Sequence, residues 1–257
     1  MIPFDDRGLL LGDGLFETLL WKDGALVLAD AHAARMAAGA AALGLPAPDA
    51  AAFQQAARTA VADAGLAAGR AAVRITYTAG SGGRGLDRPA MLAPRLFATA
   101  APSSPPRAPA RLMIAEVRRN EASPVSRFKT LSHLESVLAR REALAAGADE
   151  AVMFNTRGEV ASAAAANLFW IEGEALVTAP VDVGRLDGIM AGAVVAAAHR
   201  LGVPVREVRA GPEALAAADA LFLTNSLIGV RPARLLGREF ASHPMVARLA
   251  NAVAMFA

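Results

Sequence analysis

Lys129 is the residue whose type and position most directly suggest chemistry. It lies in Ser126-Arg127-Phe128-Lys129-Thr130-Leu131, after a turn marked by proline and serine and before a helical pattern at residues 131–146. The only other lysine is Lys22, in Trp21-Lys22-Asp23-Gly24, which is typical of an exposed hairpin turn. A primary amine can form a Schiff base with an aldehyde and can then carry a proton, whereas a guanidinium can do neither. Lys129 is therefore a candidate catalytic residue, and a solubilising surface lysine is the alternative interpretation.

The composition limits the class of protein. At 257 residues the chain can form one large domain or two smaller ones. Apolar residues make up 54% of the chain, yet no uninterrupted apolar run approaches the ~20 residues that cross a bilayer. Residues 1–6 lack the basic and apolar regions of a signal peptide, and the absence of cysteine excludes disulfides and thiolate metal sites. We therefore expect a soluble cytoplasmic protein without membrane association.

The charge pattern gives little support for nucleic-acid binding. The formal net charge is only +2, the arginines are scattered along the chain, and a single tyrosine leaves no basic stretch interleaved with aromatic residues. The expected partner is therefore a small-molecule substrate.

Helical and strand patterns occur in both halves of the chain, which indicates an α/β (α+β) fold with helices packed on sheets. In the first half we predict strands at 15–20, 25–28, 71–78 and 91–99 and helices at 31–43 and 50–64, the helices capped by Asp30 and Asp49. In the second half we predict strands at 111–117, 151–155, 167–171, 175–178, 205–208 and 220–224 and helices at 131–146, 188–201, 212–217 and 244–255.

The clearest interruption of regular secondary structure is predicted at residues 101–109, where four prolines fall within nine residues. Such a segment cannot continue a helix or the middle of a sheet. We therefore predict a small α/β domain at residues 1–100, an interdomain linker at 101–109, and a larger domain at 110–257.

Several short motifs follow one another in an order that resembles the fold-type IV enzymes dependent on pyridoxal 5'-phosphate. They are Asp6-Arg7-Gly8, Gly12-Asp13-Gly14-Leu15-Phe16-Glu17-Thr18, Leu28-x-x-x-His32-x-x-Arg35, Arg74-Ile75-Thr76-Tyr77-Thr78-Ala79-Gly80, Lys129-Thr130-Leu131, Asp149-Glu150-Ala151, Asn167-Leu168-Phe169, Gly188-Ile189-Met190 and Thr224-Asn225-Ser226-Leu227. The resemblance implies a small α/β domain, a larger cofactor-binding domain with a mixed sheet or pseudo-barrel, and a homodimer. Among the subgroups, the chain is most similar to 4-amino-4-deoxychorismate lyase.

The resemblance also implies roles for individual residues. Lys129 would hold the cofactor covalently, and Arg35 would bind its phosphate with a bidentate fork. The helix start at Gly188-Ile189-Met190 would offer free N–H groups to the same anion, and Thr224 and Asn225 would offer donors at the end of a strand. Each feature also has a structural interpretation: a surface arginine, a helix cap and a polar turn.

Two positions depart from the family pattern. Five residues before Asn167 the family carries a glutamate that keeps the pyridine nitrogen of the cofactor protonated, and here that position is Ser162. Glu159 is out of register with it. The family arginine that follows the helix-start motif is replaced by Ala191. A hydroxyl at position 162 leaves the ring mostly unprotonated and a weaker electron sink, which disfavours transamination more than an elimination that forms an aromatic ring.

The sequence hypothesis is therefore an aminodeoxychorismate lyase, with two alternatives. One is an aminotransferase acting on D- or branched-chain amino acids, and the other is a family member that has lost catalysis. Thr18 is a candidate for assisting protonation of the leaving pyruvate, and Arg74 and Arg84 are candidates for binding the substrate carboxylates. Burial and a neighbouring cation such as Arg127 are expected to lower the pKa of Lys129.

Overall fold

The computed structural model describes residues 2–106, 108–238 and 242–256, and the chain divides into two compact units. The first unit comprises Met1–Ser104 with Phe128–Ser132, and the second comprises Pro105–Arg127 with His133–Ala257. Six residues of the predicted domains and linker lie outside the described residues, namely Met1, Arg107, Glu239, Phe240, Ala241 and Ala257.

The described part of the first unit contains a four-stranded antiparallel sheet with strand order β2-β1-β3-β4. Its elements are α1 (Arg7–Leu11), β1 (Gly14–Lys22), β2 (Ala25–Leu26), α2 (Ala29–Ala42), α3 (Ala50–Asp63), β3 (Arg70–Thr78) and β4 (Arg95–Pro102). The predicted hairpin of the first two strands is confirmed, with Trp21 opposite Leu26.

Side-chain alternation gives the two faces of this sheet different characters. Leu19 and Ile75 point to the face where they pack with Met36 of α2 and Phe53 of α3, and all four side chains are buried. The residues between them in sequence, such as Thr18, point to the other face. A polar residue within a buried strand can therefore face away from the helices.

Two local predictions differ from the structure. Asp30 lies inside the first turn of α2 and accepts a hydrogen bond from Gln54, while Leu28, with a positive φ of 53°, occupies the N-cap position. β4 extends to Pro102, inside the predicted linker. Pro102 is tolerated there because β4 is an edge strand. Proline has no backbone N–H, and on the outer side of an edge strand no neighbouring strand requires that donor.

The segment Phe128–Ser132 packs with the first unit, although the prediction places it in the larger domain. The Phe16 N–H donates to the Lys129 carbonyl at 2.9 Å, and the Leu131 N–H donates to the Gly14 carbonyl at 3.0 Å. A β-bridge joins Leu15 to Thr130 between these two bonds. Lys129 is therefore fixed along the beginning of β1 by backbone hydrogen bonds, which side-chain patterns in the sequence do not reveal.

The second unit carries, in its described residues, an eight-stranded mixed sheet in the order β10-β9-β8-β11-β12-β5-β6-β7. Its elements are β5 (Ala110–Ile114), α4 (Leu134–Ala145), β6 (Glu150–Phe154), β7 (Val160–Ala163), β8 (Asn167–Glu172), β9 (Ala175–Thr178), α5 (Ile189–Arg200), β10 (Val205–Glu207), α6 (Pro212–Ala217), β11 (Ala220–Asn225), β12 (Gly229–Leu235) and α7 (Pro244–Ala252).

This larger sheet is curled into a half-barrel, as the prediction of a mixed sheet or pseudo-barrel expects. The N–H of Val160 on the edge strand β7 donates to the carbonyl of Ala210, just after the opposite edge strand, at 2.7 Å. Trp170 and Leu221 pack with Leu215 of α6 on one face. We call the opposite face, which packs against α4, α5 and α7, the outer face. Within the described ranges, no helix combines the length and apolar character needed to span a membrane.

The loop between β3 and β4 is held in place by the buried Arg7. Its guanidinium donates to the carbonyls of Leu86 at 2.9 Å and Asp87 at 3.0 Å, and its Nε donates to the Asp13 carboxylate at 2.9 Å. Gly83 has a φ of 82°, and a Cβ there would lie 2.1 Å from the Asp87 carbonyl oxygen. The loop conformation thus depends on one arginine and on a glycine that leaves room for the backbone.

We expect Arg7→Met to destabilise the first unit by about 2–3 kcal/mol, because charge-assisted hydrogen bonds to a buried guanidinium are lost. Urea denaturation followed by tryptophan fluorescence, together with proteolysis of the loop at residues 79–94, measures the effect. Arg95→Met is the matched control, since Arg95 is 43% exposed and lies 3.4 Å from Asp6. It should cost under ~1 kcal/mol. Equal effects of the two substitutions would contradict the assigned role of Arg7.

Candidate active site

The Lys129 amine lies in a group of charged and aromatic side chains of the first unit. Its Nζ is 4.2 Å from the centroid of the Phe16 ring, and the guanidinium carbon of Arg74 is 3.7 Å from the same centroid. Thr18 lies directly opposite Arg74 in the β1–β3 register, so both side chains project from one face of the sheet. Three of the predicted site residues, Lys129, Arg74 and Thr18, are therefore neighbours around Phe16.

Glu17 is the anionic centre of this group. Its side chain is 1% exposed. It accepts hydrogen bonds from Arg35 Nε at 2.8 Å and Nη2 at 2.6 Å, and from His32 Nδ1 at 2.7 Å. Alternation along β1 turns Glu17 toward α2, where His32 and Arg35 lie three residues apart on one face. The bidentate fork of Arg35, which the sequence analysis assigns to a phosphate, is thus engaged by the Glu17 carboxylate, which fixes the orientation of the guanidinium.

The charge states within this group follow from its hydrogen bonds. Burial alone would raise the pKa of Glu17, but the hydrogen bonds from His32 and Arg35 outweigh burial and lower it. Burial lowers the pKa of His32 despite the neighbouring Glu17, which favours a neutral ring whose Nδ1–H donates to the carboxylate. Glu17 is therefore ionised and paired with the cation of Arg35.

Lys129 has the chemical property that the sequence prediction requires. Burial lowers the pKa of Lys129 to about 8, the positive charges of Arg35 and Arg74 act in the same direction, and Glu17 opposes them. The prediction that Arg127 is the cation responsible is wrong, because Arg127 is exposed on a 3₁₀ turn assigned to the second unit. An amine with this pKa is appreciably unprotonated near neutral pH and can act as a nucleophile or a base.

The other predicted first-unit residues lie elsewhere. Arg84 is exposed on the loop anchored by Arg7, where it forms a β-bridge with Asp87, and it is not among the charges that affect Lys129. Lys22 ends β1 beside the hairpin turn, as predicted. Of the two arginines suggested for substrate carboxylates, Arg74 is therefore the one placed beside the amine.

In the second unit, polar side chains lie on the outer face of the curled sheet. Ser162 is 5% exposed and stands opposite Met153 in the β6–β7 pair. Thr224 is opposite Asn167 in the β8–β11 pair, and both are buried. The Thr224 Oγ1 atom is buried and has no hydrogen-bond partner among the described residues. This hydroxyl can serve a ligand without giving up a protein contact.

The start of α5 adjoins these polar groups. Asn167 Nδ2 donates to the Leu186 carbonyl at 2.9 Å, and a Cβ on Gly188 would lie 1.8 Å from Asn167 Oδ1. Gly188 is the N-cap, so the N–H groups of Ile189 and Met190 lie in the first turn, where a helix has no internal acceptor for them. This end of α5 can therefore receive an anion.

Two further positions have structural roles. Ala191 is 2% exposed within the core beneath α5, so this position contributes packing rather than charge. The Asn225 amide donates to the Ala165 carbonyl at 2.9 Å and accepts from the N–H groups of Leu227 and Ile228. Its side chain is thereby committed to the turn, and we do not assign it to a ligand.

Sequence reasoning did not assign roles to Phe16, Glu17 or His32, although all three stand in the quoted motifs. The signal was available, because alternation along β1 and the three-residue spacing in α2 place Glu17, His32 and Arg35 together. Arg119 was also missed. Nothing in Val117-Arg118-Arg119-Asn120 distinguishes its partly buried side chain from the exposed Arg118.

Comparisons with known proteins identify the family of this chain. The family described as amino-transferase class IV matches residues 14–236. A Methanocaldococcus jannaschii protein, provisionally named a branched-chain-amino-acid aminotransferase, is 30% identical over 88% of this chain and 80% of its own. An aminodeoxychorismate lyase of Vibrio harveyi is 28% identical over 90% and 86%. A Legionella pneumophila crystal structure, provisionally named 4-amino-4-deoxychorismate lyase, aligns with a TM-score of 0.92 at 29% identity, covering 100% of this chain and 96% of that one.

The lowered pKa of Lys129 predicts a specific dependence of stability on pH. The folded pKa is about 8 and the unfolded value is ~10.4, so the unfolded chain binds more protons between these limits and stability rises with pH there. Below pH ~8 the cost of burying the ammonium is fully present, at about 2 kcal/mol after allowance for partial exposure. Lys129→Met in cofactor-free protein should therefore be more stable than wild type at pH 7, and the difference should vanish above pH ~10.4.

Urea denaturation across this pH range tests the prediction. Lys22→Met is the matched control, because it removes the same side chain from the hairpin. If the free energy of unfolding varied with pH in the same way for wild type and Lys129→Met, the pKa of the Lys129 amine would not be lowered in the folded protein.

Proposed function

The chain belongs to the amino-transferase class IV family, and from that premise we propose that it is a pyridoxal 5'-phosphate-dependent aminodeoxychorismate lyase. Such an enzyme converts 4-amino-4-deoxychorismate to 4-aminobenzoate and pyruvate, a step of folate synthesis. The observation that carries the proposal is the Lys129 amine, whose pKa of about 8 and position beside Arg74 suit an amine that must attack an aldehyde and later accept a proton.

The residues of both units fit the chemistry of this cofactor. Lys129 would be its covalent attachment point, and Arg35, oriented by Glu17, would contribute positive charge to the phosphate. In the second unit, the buried Thr224 hydroxyl lacks a partner among the described side chains, and the first-turn N–H groups of Ile189 and Met190 suit an anion. Ser162 would be the polar group for the ring nitrogen. The loss of the family arginine at position 191 leaves phosphate binding to these donors.

Each step of the proposed reaction can be assigned to a side chain. When bound, pyridoxal phosphate withdraws electrons from the substrate carbon that bears the amino group. Lys129 Nζ would be the base that takes the proton from that carbon. Arg74 binds a substrate carboxylate, and the Thr18 hydroxyl, on the neighbouring strand, assists protonation of the departing pyruvate. Formation of the aromatic ring drives the loss of pyruvate.

Ser162 favours the lyase over an aminotransferase. A carboxylate beside the ring nitrogen would favour its protonated form, whereas a hydroxyl can only exchange a hydrogen bond. A weaker electron sink is acceptable when the product gains aromaticity. Transamination has no such driving force and also requires reprotonation at the cofactor carbon.

An aminotransferase acting on branched-chain or D-amino acids is the second candidate. The observation that favours it is the 30% identity to the Methanocaldococcus jannaschii protein over most of both chains. It requires that an amino acid alone convert the cofactor to its amine form, with the matching change in absorbance. A non-catalytic member is the third candidate, suggested by Ser162 and Ala191, and it would bind no cofactor. We also propose a cytoplasmic homodimer, which sedimentation of the purified protein can test.

Borohydride reduction of the cofactor-loaded protein followed by peptide mapping should place the label on Lys129. Lys129→Ala should lose the label and at least ~10³-fold in pyruvate release from 4-amino-4-deoxychorismate, because both covalent attachment and the base are removed. Lys22→Ala is the control and should keep both. A label on Lys22 in wild-type protein, or no label at all, would refute the proposal.

Arg74→Gln should raise KM for 4-amino-4-deoxychorismate by about 30-fold, since a charge-assisted hydrogen bond to a carboxylate contributes about 2 kcal/mol. Arg84→Gln should leave KM within about twofold, because Arg84 lies exposed on the Arg7-anchored loop. Steady-state kinetics on both variants measures the difference. A larger rise in KM for Arg84→Gln than for Arg74→Gln would show that Arg84, not Arg74, binds the substrate carboxylate.

A further inference from the structure

Arg119 is a buried cation in the second unit that is incompletely satisfied by the protein. Its side chain is 12% exposed, and its Nε atom has no hydrogen-bond partner within the described ranges. The NH2 group makes two long contacts, to Ser136 Oγ at 3.3 Å and to Met153 Sδ at 3.5 Å. A buried donor without a partner costs about 1–3 kcal/mol, and more when it is charged. Such a group is a candidate for contacting a ligand.

The position of Arg119 is set by the elements around it. The Arg119 N–H donates to the Phe154 carbonyl at 2.8 Å, which ties the residue to the end of β6. A Cβ on Gly184 would lie 2.9 Å from Arg119 Cγ, so the arginine stem passes beneath the chain that leads into α5. The guanidinium therefore reaches the outer face between α4 and the start of α5.

Ser162 lies on the same face, next to the same methionine. Met153 and Ser162 are direct partners in the antiparallel β6–β7 pair, and such partners have Cβ atoms about 5 Å apart on one side of a sheet. The neighbouring Val152 and Ala163 point instead to the α6 face. The Arg119 guanidinium and the Ser162 hydroxyl thus both contact or adjoin Met153.

The carboxylates near Arg119 are poorly placed to neutralise it. Glu135, at the start of α4, lies 3.9 Å from NH1 and is 47% exposed. Glu121 is engaged by Thr156 and Arg157. On the chain leading into α5, Arg185 pairs with Glu207 at 3.1 Å and is also influenced by Asp187. Glu135 is thus a distant, half-exposed partner that offsets the charge of Arg119 only in part.

We propose that the Arg119 guanidinium is the charged group that the bound cofactor ring meets beside Ser162, and that it keeps the ring nitrogen unprotonated. This inference rests on the proposed function, which assigns Ser162 to the ring nitrogen of the cofactor. A nearby cation disfavours a second positive charge, and a guanidinium can donate to a neutral ring nitrogen but not to a protonated one. Arg119 donates a hydrogen bond to the ring nitrogen, and the small side chain of Ser162 leaves room for the guanidinium.

The test uses protein reconstituted with pyridoxal 5'-phosphate labelled with ¹⁵N in the ring, because the nitrogen resonance moves far upfield on protonation. In wild type we expect the unprotonated resonance at pH 7. Arg119→Met should raise the titration midpoint of the ring nitrogen by at least one pH unit, a tenfold change in the protonated population at a fixed pH. Ser162→Glu should yield the protonated resonance at pH 7, because it adds a carboxylate next to the ring.

Arg118→Gln is the matched control, since it removes the charge of the adjacent, exposed arginine and should leave the resonance unchanged. Arg119→Gln, which keeps polarity without the charge, replaces Arg119→Met if the methionine variant does not fold. A protonated ring nitrogen in wild type at pH 7, or a titration unaffected by either Arg119 variant, would overturn the inference.

Borohydride mapping on the same samples separates this result from the proposed function. A label on Lys129 with a protonated wild-type nitrogen refutes the role of Arg119 and leaves the lyase proposal intact. The absence of a Lys129 label refutes both.

Discussion

The buried Glu17 carboxylate is the interaction on which the Lys129 site depends. It accepts hydrogen bonds from Arg35 and His32 and also acts on the charge of Lys129, so one anion offsets two cations in a poorly solvated region. Removing ions from water costs several kcal/mol each, and only close pairs with complete hydrogen bonding recover that cost. Glu17 meets this condition because both of its oxygens receive donors from α2. Glu17 orients Arg35, and it is the charge that opposes the lowering of the Lys129 pKa by burial and by Arg35 and Arg74.

The same electrostatic balance determines what the site can do. A lysine with a pKa of about 8 is unprotonated in about one molecule in ten at pH 7, whereas an ordinary lysine is so in fewer than one in a thousand. A stronger opposing charge from Glu17 would return the amine to the ordinary state, and a weaker one would leave the cluster of cations uncompensated. The stability lost by burying Lys129 is therefore inseparable from its reactivity, as expected of residues placed for function rather than for folding.

The sequence predicted the parts of this structure that depend on local periodicity. Alternation located β1 and its hairpin, and the Asp49 cap of α3 is present with its bond to the Ala52 N–H at 2.6 Å. The prediction failed where long-range backbone pairing determines which unit a segment joins. Residues 128–132 join the first unit through hydrogen bonds to β1, and no periodic signal in five residues encodes that partner. Arg127 was chosen as the neighbouring cation from its sequence position alone, whereas the actual cations, Arg35 and Arg74, come from distant segments.

The buried atoms that lack partners point to the kind of ligand that these folds accommodate. Thr130 Oγ1 in the first unit, and Thr224 Oγ1 and Arg119 Nε in the second, are buried without hydrogen-bond partners among the described residues. Each of them can donate a hydrogen bond, and the first-turn N–H groups of α5 are donors as well. The guanidinium and the backbone N–H groups can only donate, whereas the threonine hydroxyls can also accept. The oxygens of a phosphate or a carboxylate would satisfy the donors, and an apolar ligand would satisfy neither the donors nor the hydroxyls.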